Sequence, residues 1–244
     1  MHFDFVIMYS YLKAPPKKPS RLGKILRTLP VLIFTLGLMI ITYAGWPIIS
    51  YQLSASQFKQ KKIITPYFRD ANDLKGLPLF GVVGVADQNL AEIQNWLPVG
   101  FQQNNVGKIR YYNLSIPKLG VFNATVEVGG EDLSRNLIQY GGTAYPGNYG
   151  NAVIFGHSVL PQFFNPKDYM TIFSTLPTLK IGDEILVDFD GVRYRFLVSE
   201  MVELPPDDLA ILEQHYDDSY ISLVTCVPPG TYLRRLVVRA RLAK

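Results

Sequence analysis

The pattern of hydrophobic and polar residues divides the 244-residue chain into two parts. Near the N-terminus, residues 28–58 carry no charged side chain, and 29–51 within them are almost continuously apolar. A helix of about 20 residues crosses the hydrocarbon core of a bilayer, so the pattern predicts a membrane-spanning helix over 29–51. Tyr43, Trp46 and Tyr51 lie toward one end of this stretch, where an aromatic belt would meet the membrane surface.

Two other structures are weaker explanations of the same apolar stretch. A buried core helix rarely runs so far without a polar face. A cleaved signal peptide could end at the small residues Ser54-Ala55-Ser56, but its apolar region is shorter than 29–51. The expectation is therefore an uncleaved, single-pass N-terminal anchor.

The positive charge of the chain is concentrated in front of the predicted anchor. The net charge is +4, yet residues 1–28 alone contain six lysines and arginines against one aspartate, Asp4. Basic residues beside a membrane helix stay on the cytoplasmic side, which predicts a cytoplasmic arm over 1–28 and an extracytoplasmic remainder. Because the charge belongs to this short arm, the pI near 9 does not indicate a nucleic-acid partner.

After the anchor, the pattern changes to short alternating segments typical of strands. Residues 52–107 are interrupted by glycine and proline and are expected to form a stalk with a short helix over 86–96. Beyond it, turn residues such as Asp190-Gly191 separate short strands, which predicts a mainly β domain, a sandwich or small barrel, over 108–244. The expected strands cover 108–116, 121–128, 152–157, 184–189, 192–204, 221–226 and 235–242, and the expected short helices cover 131–140 and 207–216.

The single cysteine, Cys226, excludes an internal disulfide and a cysteine-rich zinc site. A lone cysteine is often only a small buried hydrophobic residue. Alternation along the predicted strand puts Ile221 and Leu223 on the core face, together with Thr225, and Cys226 on the opposite face at the strand end. This position leaves both readings open, a buried residue or a nucleophile.

Two further residues are candidates for activating that thiol. If the last two strands are neighbours, Arg235 shares the non-core face with Cys226, whereas Arg234 has the opposite parity. Of the three histidines, His157 ends an apolar strand directly after Gly156, and it is the best candidate for a Cys–His pair.

Three segments, in the same order along the chain and behind an N-terminal anchor, resemble the sortases, the membrane-anchored cysteine transpeptidases of bacteria. They are Gly156-His157-Ser158, Leu223-Val224-Thr225-Cys226 and the arginine strand 235–240. The single anchor is similar to those of classes A, D and E, whereas the short loop between Cys226 and Arg235 is similar to that of class C.

The resemblance implies a fold and a mechanism. The fold would be an eight-stranded β-barrel with short helices, preceded by one transmembrane helix. Cys226 would be the nucleophile, His157 the general acid and Arg235 the group that holds substrate and oxyanion, with Thr225 shaping the oxyanion hole. The substrate would be an exported protein with an LPxTG-like C-terminal signal, cleaved through an acyl-enzyme thioester that an amine resolves, either a cell-wall cross-bridge or a pilin lysine.

No cofactor or metal is required for this chemistry. Some sortases bind calcium as a regulator, and the acidic pairs Glu131-Asp132 and Asp207-Asp208 are candidate ligands here.

Two other functions are alternatives, a cell-wall L,D-transpeptidase and a non-catalytic anchored adhesion or scaffold module. The sortase mechanism requires that Cys226, His157 and Arg235 converge in one groove. If Cys226 is fully enclosed, or if Arg235 points away from it, the sortase mechanism is expected to fail.

Overall fold

A computed structural model describes residues 21–54, 92–96 and 109–244. Its N-terminal element is helix α1, Arg21–Ser54. Within α1, Leu29–Tyr51 is long and apolar enough to cross a membrane, and side chains such as Phe34 and Met39 are largely exposed. An apolar surface of this kind is unfavourable in water, so the helix fits the predicted single-pass anchor. Most of the predicted cytoplasmic arm and stalk lies outside the described residues.

Eight strands close into a barrel in the order β1-β2-β3-β4-β7-β8-β6-β5. The expectation of a mainly β, eight-stranded barrel behind one apolar helix is therefore confirmed. Closure gives every strand two hydrogen-bonded neighbours and leaves no exposed sheet edge. The strands are β1 Tyr111–Ile116, β2 Val121–Val128, β3 Leu137–Gln139, β4 Gly150–Phe155, β5 Glu184–Phe189, β6 Val192–Leu204, β7 Ser219–Val227 and β8 Arg234–Leu242.

The β5–β6 hairpin shows how local sequence sets the strand register. Ile185, Val187 and Phe189 are buried and alternate with the less buried Glu184, Leu186 and Asp188, as in a half-buried strand. The turn residues Asp190 and Gly191 both have positive φ, 51° and 76°, which suits a tight turn between twisted strands. The hairpin predicted at these two residues is confirmed by the pairing of Phe189 with Val192.

The barrel contributes buried side chains to two separate hydrophobic clusters. The main cluster receives at least one residue from every strand, including Leu114, Val126, Leu137, Ile154, Val187, Phe196, Leu223 and Val238. The second cluster lies on the opposite face of β4, β7 and β8 and includes Val153, Phe155, Val224, Cys226 and Val237. The parity predicted for Cys226 is therefore correct, but its face of the sheet is covered.

Short 3₁₀ turns connect the strands, and two of the predicted helices are wrong. Residues 131–140 form a turn, in which the Asp132 side chain accepts from the Ser134 amide, followed by β3. Leu133 and Leu137 have helical spacing but pack into different clusters. Of residues 207–216, only Leu209–Leu212 forms a 3₁₀ turn. The other 3₁₀ turns are Ile93–Trp96, Pro117–Leu119, Pro161–Phe163 and Leu176–Thr178.

Candidate active site

Strand topology brings the three predicted site residues to one end of the barrel. Strands β4 and β7 are parallel neighbours, so their carboxyl ends meet, and the last pair in their register is Phe155 with Val224. His157 follows β4 by two residues, and Cys226 lies near the end of β7. On the other side of β7, the antiparallel strand β8 pairs Arg235 directly with Cys226.

The Arg235 guanidinium lies against the thiol. Its Nη1 donates a hydrogen bond to Cys226 Sγ at 3.1 Å, and both side chains are almost fully buried. The Arg235 Nε is buried and has no hydrogen-bond partner among the described residues. The guanidinium thus contacts the thiol through one donor, while a second buried donor has no partner among the described residues and can donate to a further hydrogen-bond acceptor.

His157 is held in place by close packing around its neighbour, Gly156. A Cβ at position 156 would lie 2.5 Å from the Phe173 ring and 2.7 Å from Leu137, so the site requires glycine there. The Phe173 amide also donates to the His157 carbonyl at 3.0 Å. The His157 Nε2 is buried without a hydrogen-bond partner in the described part of the chain, so it is free to exchange a proton with a bound group.

Two hydroxyl groups join the histidine segment to the cysteine strand. Thr225 Oγ1 donates to the Gly156 carbonyl at 2.8 Å, and Ser158 Oγ donates to the Cys226 carbonyl at 2.7 Å. The role of Thr225 in an oxyanion hole stays a prediction, since its hydroxyl is bonded to Gly156 here. Sequence reasoning missed Ser158, although its place directly after His157 was a signal.

Trp96, a second residue that sequence reasoning missed, packs over the site. Its ring centroid lies 4.7 Å from the Arg235 guanidinium carbon and 5.4 Å from the His157 ring centroid. The turn that carries it is attached to the barrel by the Ile93 amide, which donates to the Glu131 carbonyl at 3.0 Å. The indole is 2% exposed. Cation–π attraction and burial of the ring both favour this position.

The thiol is enclosed in this arrangement, with Cys226 1% exposed. This differs from the open groove expected from the sequence and meets one of the two conditions stated above for rejecting the mechanism; that condition did not consider a covering residue outside the barrel strands. Arg235 points at the thiol as the mechanism requires. The enclosure involves Trp96, which belongs to a separate short turn rather than to a barrel strand, so its removal would leave the strands that carry Cys226, His157 and Arg235 intact.

Burial controls the protonation of both reactive groups. It raises the pKa of Cys226 to about 11, and the positive charge of Arg235 opposes this shift only in part. Burial likewise lowers the pKa of His157 to about 4; Asp132 acts in the opposite direction and Arg235 in the same one. At neutral pH the Cys226 thiol and the His157 imidazole are therefore both neutral in this arrangement.

The acidic pairs considered for calcium have other contacts. Asp132 forms an ion pair with Arg135 at 3.1 Å, and Asp208 accepts a hydrogen bond from the Ala210 amide. Across residues 21–54, 92–96 and 109–244, no group of three or more histidine, cysteine, aspartate or glutamate side chains is arranged to hold a metal. Calcium regulation and independence from cofactors both remain predictions.

Comparison with known proteins gives consistent matches. A family model for the Sortase domain matches residues 114–243. Sortase D of Bacillus subtilis is 22% identical over 206 residues, covering 83% of this chain and 89% of that protein. Sortase A of Bacillus anthracis is 31% identical over 93 residues, covering 38% of this chain and 40% of that protein.

Solved sortase structures are also similar. A Sortase D5 transpeptidase of Clostridium perfringens is 25% identical with a TM-score of 0.48, covering 58% of this chain and 83% of that one. A lid mutant of Sortase A from Corynebacterium diphtheriae is 26% identical with a TM-score of 0.48, covering 57% of this chain and 73% of that one. The family model spans more than half of the 244 residues and includes His157, Cys226 and Arg235. The chain therefore belongs to the sortase family of transpeptidases.

Proposed function

We propose that this protein is a membrane-anchored cysteine transpeptidase that uses Cys226 as its nucleophile. The observation that carries the proposal is the 3.1 Å contact between the Arg235 guanidinium and Cys226 Sγ, at the same barrel end as a buried His157 with a free ring nitrogen. A thiol, a cation and a proton carrier together are the groups that covalent acyl transfer needs.

In the first half-reaction, Cys226 attacks the scissile carbonyl of an LPxTG-like signal on an exported protein. The thiol proton passes to the His157 imidazole as the sulfur–carbon bond forms, and the carbonyl oxygen becomes an oxyanion. Arg235 donors stabilise that oxyanion, an effect for which losing one donor typically costs about 10²–10³ in rate. The Thr–Gly bond then breaks, the imidazolium gives its proton to the leaving amine, and a thioester to Cys226 remains.

In the second half-reaction, an amine attacks the thioester. The amine is that of a cell-wall cross-bridge or of a pilin lysine. A new amide bond forms, the sulfur–carbon bond breaks, and the sulfur regains its proton from the nitrogen by way of His157. The amine must compete with water for the thioester, so a site that excludes water favours transfer over hydrolysis.

The neutral thiol and imidazole are the resting state of this cycle. The reactive form, thiolate with imidazolium, is disfavoured because burial is the main cause of both pKa shifts. A substrate that displaces Trp96 and brings polar groups to the site lowers that cost. We therefore infer that substrate binding, rather than bulk pH, activates Cys226.

The proposed location is the cell membrane, with residues 1–28 in the cytoplasm and the barrel outside it. The charge asymmetry around Leu29–Tyr51 supports this orientation. Exported proteins and extracytoplasmic amines are accessible to a barrel in that position.

The test uses the full-length protein in detergent with a library of LPxTG-like peptides and a glycine-based amine. Intact mass should rise by the acyl fragment, and the adduct should map to Cys226. The Cys226→Ala variant is the control. The proposal fails if the variant cleaves and transfers as well as the wild type, or if no peptide in a broad library gives an adduct, which is what a scaffold module predicts.

A further inference from the structure

The segment that follows β4 and carries His157 separates from β7, which carries Cys226, at the site. Their main-chain pairing ends with the Gly156 amide donating to the Val224 carbonyl at 3.1 Å. Beyond this point, hydroxyl groups make the connections: Thr225 Oγ1 to the Gly156 carbonyl at 2.8 Å and Ser158 Oγ to the Cys226 carbonyl at 2.7 Å. Beyond Val224, side-chain hydroxyl groups rather than main-chain hydrogen bonds therefore connect the two segments.

The residues on either side of His157, Gly156 and Ser158, are the two that these hydrogen bonds join to β7. Gly156 precedes it and accepts from Thr225, while Ser158 follows it and donates to the residue that bears the thiol. The main chain of His157 itself is bonded elsewhere, since its carbonyl accepts from the Phe173 amide. The Ser158 hydroxyl is thus the link from the far side of the histidine back to Cys226.

This link is shielded from solvent, because Ser158 is 7% exposed and Cys226 is buried. A single hydrogen bond adds little to net stability, but a buried acceptor that loses its donor carries a larger penalty. Without the Ser158 hydroxyl, the Cys226 carbonyl would therefore have to accept a hydrogen bond from water or from another donor. Either response moves the main chain that carries the thiol.

We propose that Ser158 is a positioning residue for acyl transfer, whose hydroxyl sets the separation of the His157 imidazole and the Cys226 thiol by holding the Cys226 carbonyl. The proposal rests on the proposed function, since it needs a proton to pass between these two groups. Proton transfer requires a heavy-atom separation of about 2.6–3.2 Å, and a misplacement of about 1 Å can cost about 10² in rate. Ser158 itself does not touch the reacting atoms.

The kinetic test compares three variants of the full-length protein in detergent. Ser158→Ala removes the hydroxyl, and Ser158→Thr keeps it. Thr143→Ala is the matched control, because Thr143 Oγ1 also donates to a main-chain carbonyl, that of Tyr140, at 2.7 Å. With an LPxTG-like peptide, we expect Ser158→Ala to lower kcat by about 10- to 100-fold with KM within about twofold, and the other two variants to stay within about threefold of the wild type.

A merely structural role predicts a different result. In that case Ser158→Ala would lose activity only in proportion to the unfolded fraction seen by circular dichroism. Wild-type kcat in Ser158→Ala, a loss that follows unfolding, or an equal loss in Ser158→Thr would each overturn the proposal.

A second measurement does not depend on finding a substrate. Cys226 is the only cysteine of the chain, so the rate of its alkylation by iodoacetamide against pH reports on this thiol alone. We expect Ser158→Ala to move the midpoint of that profile below the wild-type value, because water reaching the released carbonyl reduces the burial that raises the pKa of Cys226. Thr143→Ala should leave the midpoint unchanged.

Failure of the proposed function and failure of the positioning role of Ser158 give different experimental results. A wild-type protein that is inactive with every peptide counts against the proposed function, whereas the alkylation profile still decides the position of the thiol. Identical midpoints in Ser158→Ala and the wild type would overturn the positioning role even if peptide cleavage were observed.

Discussion

At the residue scale, the arginine beside the thiol has two separable effects. Its positive charge lowers the pKa of Cys226 against the larger effect of burial. Its planar set of donors also matches an oxygen with developing negative charge, which a lysine ammonium does not reproduce. Charge and geometry therefore predict different outcomes for different substitutions.

Arg235→Gln should raise the pKa of Cys226 further and slow its alkylation at pH 8–9, because the opposing charge is gone. Peptide cleavage should fall by about 10²–10³ in kcat/KM. Arg235→Lys should restore most of the alkylation rate but little of the cleavage rate. Equal recovery of both rates in Arg235→Lys would contradict a geometric role for the guanidinium.

His157 should make the stability of the barrel sensitive to acid. Its pKa is lowered to about 4 from the usual value of 6.5, so between these pH values the unfolded chain binds a proton that the folded chain does not. The free energy of unfolding should therefore be intact above pH 6.5 and fall as the pH drops toward 4, by about 3 kcal/mol.

Urea unfolding of the full-length protein between pH 7 and 4, followed by circular dichroism, measures this dependence. In His157→Gln the change of the unfolding free energy with pH should be smaller by the contribution of the imidazole, since glutamine does not titrate. An unchanged slope in His157→Gln would show that other groups cause the acid sensitivity.

At the element scale, sequence predicts most of the barrel and part of the site. The hairpin at Asp190-Gly191 and the shared face of Cys226 and Arg235 follow from turn chemistry and strand alternation, because both depend on near neighbours. The parallel pairing of β4 with β7 cannot be obtained in this way, since periodicity does not identify the partner of a strand. The resemblance to a family supplied the number of strands and the roles of Cys226, His157 and Arg235, but the pairing itself came from the structure.

The incorrect sequence predictions also arise where contacts between distant parts of the chain decide the structure. The helix predicted at 131–140 is wrong because Leu133 and Leu137 pack into different clusters, as a turn followed by a strand allows and a single helix face does not. Covering of the thiol depends on where the turn Ile93–Trp96 binds the barrel, which local sequence does not specify. Ser158 was visible in sequence, but its importance depends on a bond to Cys226 across 68 positions.

The turn that carries Trp96 should control access to the thiol. Trp96→Ala should bring water to the site, lower the pKa of Cys226 from about 11 and raise that of His157 from about 4, because burial is the main cause of both shifts. Alkylation of Cys226 at pH 7–8 should accelerate by about tenfold or more, since the thiolate is the reacting species.

Trp46→Ala is the matched control, because Trp46 is the only other tryptophan and lies exposed in α1. It should leave alkylation at the wild-type rate. If Trp96→Ala and the wild type react at the same rate, the indole does not limit access to Cys226.

At the scale of the whole molecule, the described residues form an apolar helix that fits a membrane anchor and a barrel that bears Cys226 and Arg235. Helix α1 carries exposed apolar side chains from Leu29 to Ile49, and in the described part of the chain the barrel strands carry Cys226 and Arg235, with Trp96 on a separate turn. The basic residues before α1 predict which side of the membrane the barrel occupies.

Cysteine labelling tests this orientation. In a Cys226→Ala background, Lys244→Cys places a thiol on an exposed residue at the end of the barrel domain, and Lys13→Cys places one in the basic arm. A membrane-impermeant maleimide should label Lys244→Cys in intact cells and Lys13→Cys only after permeabilisation. The reverse pattern would place the barrel in the cytoplasm.

The parallel pairing of β4 and β7 also has a consequence for how the protein folds. The bonds that join the histidine segment to the cysteine strand span 68 and 69 positions, and contacts so distant in sequence form slowly because a long loop must close first. Until the barrel closes, the thiol is exposed, has an ordinary pKa and is open to oxidation. Barrel closure brings the site together, and binding of the turn Ile93–Trp96 then covers its sulfur, so we expect Cys226 to resist oxidants only when both have formed.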